Sequence, residues 1–179
     1  KEEIIRTTQD LITRNGIRAV RVDEIAQRLG ISKRTLYEMF ADKNDLISAC
    51  LDDLARRQRQ RIAASRRRRS GNPLQRTLRL ANDYIDSLYT VDHSFLADIR
   101  RKVLFAEQYD EHREFWRKEL SLNLEECRGG GLLLSEIDTA ALAEQLMSTL
   151  FELRLNRTTR EELYLLCRTI LRGAATQQG

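Results

Sequence analysis

Between Val22 and Phe40 the chain reads VDEIAQRLGISKRTLYEMF, and no other stretch restricts the fold as tightly. Val22, Ile25, Ala26 and Leu29 recur at helical spacing and mark one apolar face of a helix about two turns long, which Gly30 closes. Ile31 follows, and then Ser32, whose hydroxyl can cap the orphan N–H groups of a next helix, KRTLYEMF. On that helix Leu36 and Phe40 lie about 40° apart and should face the helices before it. Arg34 and Glu38 then point away, Thr35 and Tyr37 take the flanks, and Lys33 has a stem long enough to reach outward. Helix, glycine turn, apolar residue, capping serine and helix make the layout of a helix-turn-helix.

The remaining sequence is also helical. EEIIRTTQDLITRNG puts Ile4, Ile5, Thr8, Leu11 and Ile12 on one face and stops at Asn15 and Gly16, a pair suited to a left-handed C-cap. After Asp42, the residues Leu46, Ile47, Cys50, Leu51 and Leu54 predict a longer helix. Asn72 and Pro73 start another, since asparagine caps well and proline suits the first helical position. That helix carries Leu74, Leu78, Ala81, Ile85 and Leu88. A stretch around Phe95, Ile99 and Val103 follows, then one over about Asp110 to Arg128, ended by Gly129, Gly130 and Gly131. Asp138 caps a helix with Leu142, Leu146, Leu150 and Leu153, and Thr159 with Glu162 offers a capping box for a last one with Leu163, Leu166, Cys167, Ile170 and Leu171. One proline, few glycines and no strand pattern of useful length agree with an all-α chain of about nine helices. The expected division is residues 1–47 and residues 48–179.

Composition excludes several classes. No window approaches the roughly 18 uninterrupted apolar residues of a membrane span, and no signal-peptide series is present, so the cytoplasm is the expected location. Cys50, Cys127 and Cys167 are odd in number and far apart, which predicts buried, reduced thiols. RGGGLL lacks the lysine and Ser/Thr of a phosphate loop, and His93 and His112 have no companion ligands at metal spacing. The sequon Asn156, Arg157, Thr158 has no meaning in the cytoplasm. No catalytic dyad, cofactor or metal is expected.

Charge points to a polyanion. Residues 1–69 hold 17 Lys or Arg against 10 Asp or Glu, whereas residues 70–179 hold 14 against 17. Nearly all of the excess lies in Arg56 to Arg69, and four consecutive arginines, Arg66 to Arg69, end that run. The helix-turn-helix is the more specific signal. Helix N-termini at Ser32 to Arg34 and at Asp42 to Lys43 attract phosphates. Lys33, Thr35, Tyr37 and Lys43 add donors for phosphate oxygens, and Arg34 can also read guanine.

These residues resemble the DNA-binding segment of the TetR (tetracycline repressor) family of transcriptional regulators. The family shares the run G, apolar, S, K, x, T, L, Y, x, x, F, x, x, K, x, x, L, which Gly30, Ser32, Lys33, Thr35, Leu36, Tyr37, Phe40, Lys43 and Leu46 match. The likeness covers residues 4 to about 50. It implies that Lys33, Thr35, Tyr37 and Lys43 contact DNA, with Leu36 and Phe40 as core. Two positions depart: Arg21 stands where the family usually has a capping threonine, and Met39 where it commonly has an aromatic or histidine. Arginine cannot cap, although it can reach the phosphate.

The resemblance further implies an Ω-shaped homodimer joined through its last two helices, here about residues 139–155 and 160–172, and a small-molecule effector bound in the C-terminal bundle. The broad apolar faces of those two helices support the pairing independently. Tyr84, Leu88, Phe105, Tyr109, Phe115 and Trp116 are the candidate pocket residues, with a packed core as the competing reading of the same side chains. A ligand-responsive repressor on a double-stranded operator is therefore the expected function. A DNA-binding regulator answering to a protein partner, or to no ligand, is the alternative. In this architecture Arg66 to Arg69 lead away from the DNA and are expected to form a solvated junction.

Overall fold

The computed structural model describes residues 1–67, 71–101 and 105–176. Among them the chain forms nine helices, α1 Glu2–Asn15, α2 Val22–Leu29, α3 Lys33–Met39, α4 Lys43–Arg67, α5 Pro73–Tyr89, α6 His93–Arg101, α7 Ala106–Gly129, α8 Thr139–Leu155 and α9 Arg160–Gly173. An isolated antiparallel bridge joins Leu133 and Ala175. The expectations for Val103 and for Arg68 and Arg69, and the side chain of Arg67, lie outside the described residues.

Packing divides the chain into two compact units, Lys1–Arg61 with Val91–Glu111, and Ile62–Thr90 with His112–Gly179. In the first, α1 packs against α2 and α6, and α2 against α3. Its core is the one that periodicity predicts, with Ile4, Leu11, Ile12, Ile25, Leu36, Phe40, Leu46 and Ile47 all buried. The turn between α2 and α3 is fixed by two local devices. Gly30 sits at φ 63° and ψ 27°, and the Ile31 N–H donates to the Ala26 carbonyl at 3.0 Å, which satisfies the last carbonyls of α2. Ser32 Oγ then accepts from the Thr35 N–H at 3.0 Å and starts α3.

Gly16 corrects the expectation of a left-handed helical cap. Its φ of 82° comes with a ψ of 163°, an extended conformation essentially reserved for glycine. The reason lies far away in sequence. A Cβ on Gly16 would stand 2.9 Å from Ser94 Oγ and 3.0 Å from Asp98 Oδ2, so α6 approaches the backbone where only hydrogen fits.

In the second unit α5 packs on α8 and α9, and α8 on α9. Asn72 and Gln75 form a reciprocal capping box in front of Pro73, Asp138 accepts from the Ala140 and Ala141 N–H groups, and Thr159 and Glu162 form the expected capping box. Trp116, Leu120, Leu124, Ala143, Leu150, Leu163 and Leu171 fill the core. One boundary differs: α7 begins at Ala106 rather than near Asp110. No cap residue stands directly before Ala106, and no apolar stripe marks its first turns, so the sequence carries no local start signal there.

Candidate nucleic-acid interface

The exposed side of α3 carries the side chains that could meet a phosphodiester backbone. Tyr37 is 47% exposed and Met39 41%, an unusual allowance for large apolar side chains on a helix whose other face is fully buried through Leu36. Arg34 extends along the same helix and pairs with Glu38 at 3.2 Å. Lys33 pairs with Asp23 on α2, holding the first turn of α3 against its neighbour. Both pairs are solvent-exposed and therefore cheap to exchange for a phosphate, since such pairs contribute about 0–1 kcal/mol. Thr35 Oγ1 lies 2.9 Å from Ser32 Oγ, so the two hydroxyls support each other at the helix start.

At the start of α4 the Asp42 carboxylate accepts from the Asp45 N–H at 2.8 Å, and Asp45 reaches back to the Ala41 N–H at 2.9 Å. Lys43, half-buried, donates to the carbonyl of Val20. This contact was not legible in the sequence, and it ties the entry of α2 to the start of α4. Arg21 precedes α2 in extended conformation and makes no side-chain cap, leaving its guanidinium exposed beside uncapped N–H groups. Ser32, Lys33, Arg34, Thr35, Tyr37, Lys43 and Arg21 thus all belong to the first unit, on α3 or at the starts of α2 and α4.

A second feature of this unit escaped sequence reasoning. Asp98 of α6, buried to 7% exposure, accepts the Arg18 backbone N–H at 2.9 Å and pairs with its guanidinium at 3.4 Å. The Asp92 N–H adds a 2.6 Å bond to the Thr13 carbonyl. The turn between α1 and α2 is therefore held from α6, by residues about 80 positions along the chain that carry no local pattern.

The six candidate pocket residues separate. Tyr84, Phe115 and Trp116 meet as edge-to-face rings with centroids 5.3 and 6.0 Å from Trp116, and Leu88 is buried on the same helix as Tyr84. The Trp116 Nε1–H donates to His112 Nε2 at 3.2 Å, and the Tyr84 hydroxyl to the Met147 carbonyl at 3.4 Å. Phe105 and Tyr109 belong to the other unit. None of the six lines a cleft in the second unit, a cavity of about 250 Å³ between the last turns of α4 and the facing sides of α5 and α7. Its walls are charged, with Arg66, Arg76, Arg79, Asp83, Glu119 and Glu126. The sequence held a signal for it: on α5 and on α7 the lining residues recur at 0, 3, 4 and 7, the same face of each helix.

Residues 4–50 match the sequence profile of the bacterial regulatory proteins of the tetR family. The chain carries a TetR-family DNA-binding domain. Two curated relatives, HTH-type transcriptional regulators of Mycobacterium tuberculosis, are each 43% identical to this TetR-family segment over 51 residues, 28% of this chain. The matched stretch spans 21% of the length of those relatives. Solved structures extend the likeness of fold over the whole chain. A protein of Saccharomonospora viridis in complex with choline aligns over 97% of this chain and 96% of its own, with a TM-score of 0.84 and 18% identity. A TetR transcription regulator of Haloarcula marismortui aligns over 98% of this chain and 97% of its own, with a TM-score of 0.82 and 19% identity. Outside residues 4–50 it is the TetR-type arrangement of helices, rather than the sequence, that is shared.

Proposed function

We propose that the chain is a cytoplasmic transcriptional regulator, a homodimer that occupies a near-palindromic operator and leaves it when a small effector binds the second unit, Ile62–Thr90 with His112–Gly179. The observation that carries this reading is the TetR-family segment folded with its donors outward: a capped α3 whose Tyr37, Arg34 and Lys33 face solvent while Leu36 and Phe40 anchor it. The two α3 helices of the dimer enter successive major grooves about 34 Å apart. Lys33, Thr35, Tyr37, Lys43 and Arg21 hold phosphates, with the Ser32-capped start of α3 set against the backbone, and Arg34 reads a base edge. In this reading residues 1–47 form the DNA-binding part and residues 48–179 the effector and dimerisation part.

The dimer joins through α8 and α9. Leu165 of α9 is 64% exposed in the single chain, and α8 carries apolar residues around much of its circumference, its leucines mostly on one face and Ala143, Met147 and Phe151 beyond it, with Leu142 and Leu153 half-buried. A helix that is apolar on nearly every side is one that expects cover on nearly every side. Small-molecule control is supported by the choline bound to the Saccharomonospora viridis protein of the same fold. The effector needs only a different affinity for the bound and released forms, and a coupling of about 1–3 kcal/mol is sufficient.

The test is retention of DNA on the protein. Genomic fragments selected on the immobilised chain supply the operator, and gel retardation then compares variants. Tyr37→Ala should weaken retention at least tenfold with an unchanged thermal midpoint, because Tyr37 has little intramolecular packing to lose. Lys43→Ala should weaken it as well and lower the salt slope by about 1, at a modest stability cost from the lost Val20 contact. Undiminished retention by both variants would sink the docking.

A further inference from the structure

Among the described residues, the cleft in the second unit is lined by three guanidinium and three carboxylate groups over an apolar floor. α5 supplies Arg76, Arg79 and Asp83, α7 supplies Glu119 and Glu126, and α4 supplies Arg66, while Ile62, Leu80 and Leu122 lie between them. Such a lining discriminates strongly by ligand charge. An apolar molecule would strip water from six charged groups and return no polar contact, a large penalty. A polyanion meets three carboxylates there, and a simple cation meets three guanidinium groups. A molecule bearing one charge of each sign meets complementary partners at both ends.

Glu119 decides which end goes where. Its side chain is 12% exposed, yet among the described residues its charge is met by one nitrogen, Arg66 Nη1, at 3.2 Å to one oxygen and 3.4 Å to the other. A carboxylate offers about four acceptor positions, and one shared, long contact leaves most of them unused. Arg66 itself is half-exposed and offers the pair little shelter. A further donor entering the cleft would add to that one long contact and strengthen the match. An ammonium group supplies up to three N–H donors in a compact volume and fits that need.

The opposite wall suits an anion. Arg76 is held by Nη2 on Glu126 at 2.6 Å and by Nη1 on the Gly71 carbonyl at 2.9 Å, which fixes the plane of its guanidinium. Arg79 stands one turn further along the same face of α5. Guanidinium groups take carboxylates in parallel, two-point fashion. Size sets the last limit: a cavity of about 150 Å³ accommodates benzene, so one of 250 Å³ suits a molecule of roughly ten heavy atoms.

We propose that this cleft binds a small amino-acid zwitterion, its ammonium on Glu119, its carboxylate on Arg76 and Arg79, and its carbon skeleton on Ile62, Leu80 and Leu122. The inference rests on reading the second unit, Ile62–Thr90 with His112–Gly179, as the effector-binding part. It names the class of effector and moves the site from the packed aromatic rings around Trp116 to the charged groove.

The probes are the standard L-amino acids and the ω-amino acids from β-alanine to ε-aminocaproate, each with its decarboxylated amine and its des-amino acid, titrated into the full chain by calorimetry. At least one zwitterion should bind, with each of its single-charge analogues at least tenfold weaker. Glu119→Gln should raise the Kd of that zwitterion at least tenfold while leaving the des-amino acid unchanged. Arg79→Gln, on the exposed wall, should weaken the zwitterion and the des-amino acid alike, and it decides the matter if Glu119→Gln fails to fold. The proposal is overturned if no probe binds, if a single-charge analogue binds as tightly as the zwitterion, or if the folded variants retain the original Kd. DNA retention of the unliganded protein is measured beside it. A silent titration with intact retention removes the zwitterion alone, whereas lost retention with a positive titration removes the regulator reading alone.

Discussion

Asp53 and Gln9 join α4 to α1 by polar contact where the apolar stripe of α1 would lead one to expect only hydrocarbon. The Gln9 amide donates to the Cys50 carbonyl and to Asp53 Oδ2, both at 2.9 Å, and Arg57 and Arg56 pair with the same carboxylate. Burial pushes the Asp53 carboxyl upward, but the Gln9 hydrogen bond and the two guanidinium groups outweigh it, and the group rests below its ordinary value. A depressed carboxylate binds fewer protons folded than unfolded, so its contribution is present above about pH 4 and is lost as pH falls through the folded pKa. Asp53→Asn should therefore cost about 1–2 kcal/mol at neutral pH and should flatten the decline of stability in acid. Urea unfolding at pH 7, 5 and 3 measures both, and an acid decline as steep as that of the parent chain would refute the assignment. The same carboxylate acts on its neighbour: burial first, and then the Asp53 charge, push the Cys50 thiol up to about 12. Burial alone raises Cys167 to about 11. These thiols stay protonated and inert, in keeping with the buried, reduced state that their sequence spacing suggests.

At the level of elements, what could be read in advance was what is encoded locally. Ser32, Asn72, Asp138 and Thr159 cap the helices they precede because a cap acts within three residues, and leucines at helical spacing mark faces for the same reason. The candidate DNA-contacting residues were legible on that basis, since α3 is a local construction. Contacts between distant segments were not. Nothing in the local pattern around Gln9 points to Asp53, nothing around Lys43 to the Val20 carbonyl, and nothing around Asp98 to Arg18. The lining faces of α5 and α7 can each be read from their spacing, but nothing local says that they meet across a cleft with the end of α4. Gly16 and Gly30 test this difference directly. Both have positive φ, but a Cβ on Gly30 meets open space whereas one on Gly16 meets Ser94 and Asp98. Gly30→Ala should cost about 1 kcal/mol, the ordinary penalty of a left-handed residue. Gly16→Ala should cost about 3 kcal/mol, because backbone strain is joined by displacement of α6. Equal shifts of the urea midpoint for the two variants would show that α6 yields freely.

For the whole molecule, the uneven charge and the unpaired apolar surface have different consequences. The dense arginines near residue 66 suggest the DNA grip by count, yet Arg66 turns to Glu119 in the cleft, and the proposed reading places the grip on the fewer donors of α3. What such a sparse set lacks in affinity, the second copy of the proposed dimer supplies. One α3 offers a handful of phosphate contacts and a short reading surface, which gives weak, salt-sensitive association. Two copies linked at fixed spacing make the second contact intramolecular, and avidity then rises by about two to four orders of magnitude without any new contact. In the proposed dimer the link is the sensitive point, and Leu165 of α9, 64% exposed, is the apolar side chain it would cover. Leu165→Glu places a charge on the α9 face without disturbing the packed side that holds Leu163, Cys167 and Leu171. The variant should remain folded, with a thermal midpoint that no longer rises with protein concentration, and light scattering should report a single chain. Its retention on the selected operator should fall at least a hundredfold, while binding to nonspecific DNA, limited by one head, should fall far less. A Leu165→Glu protein that stays dimeric and keeps its operator affinity would place the subunit interface somewhere other than α8 and α9.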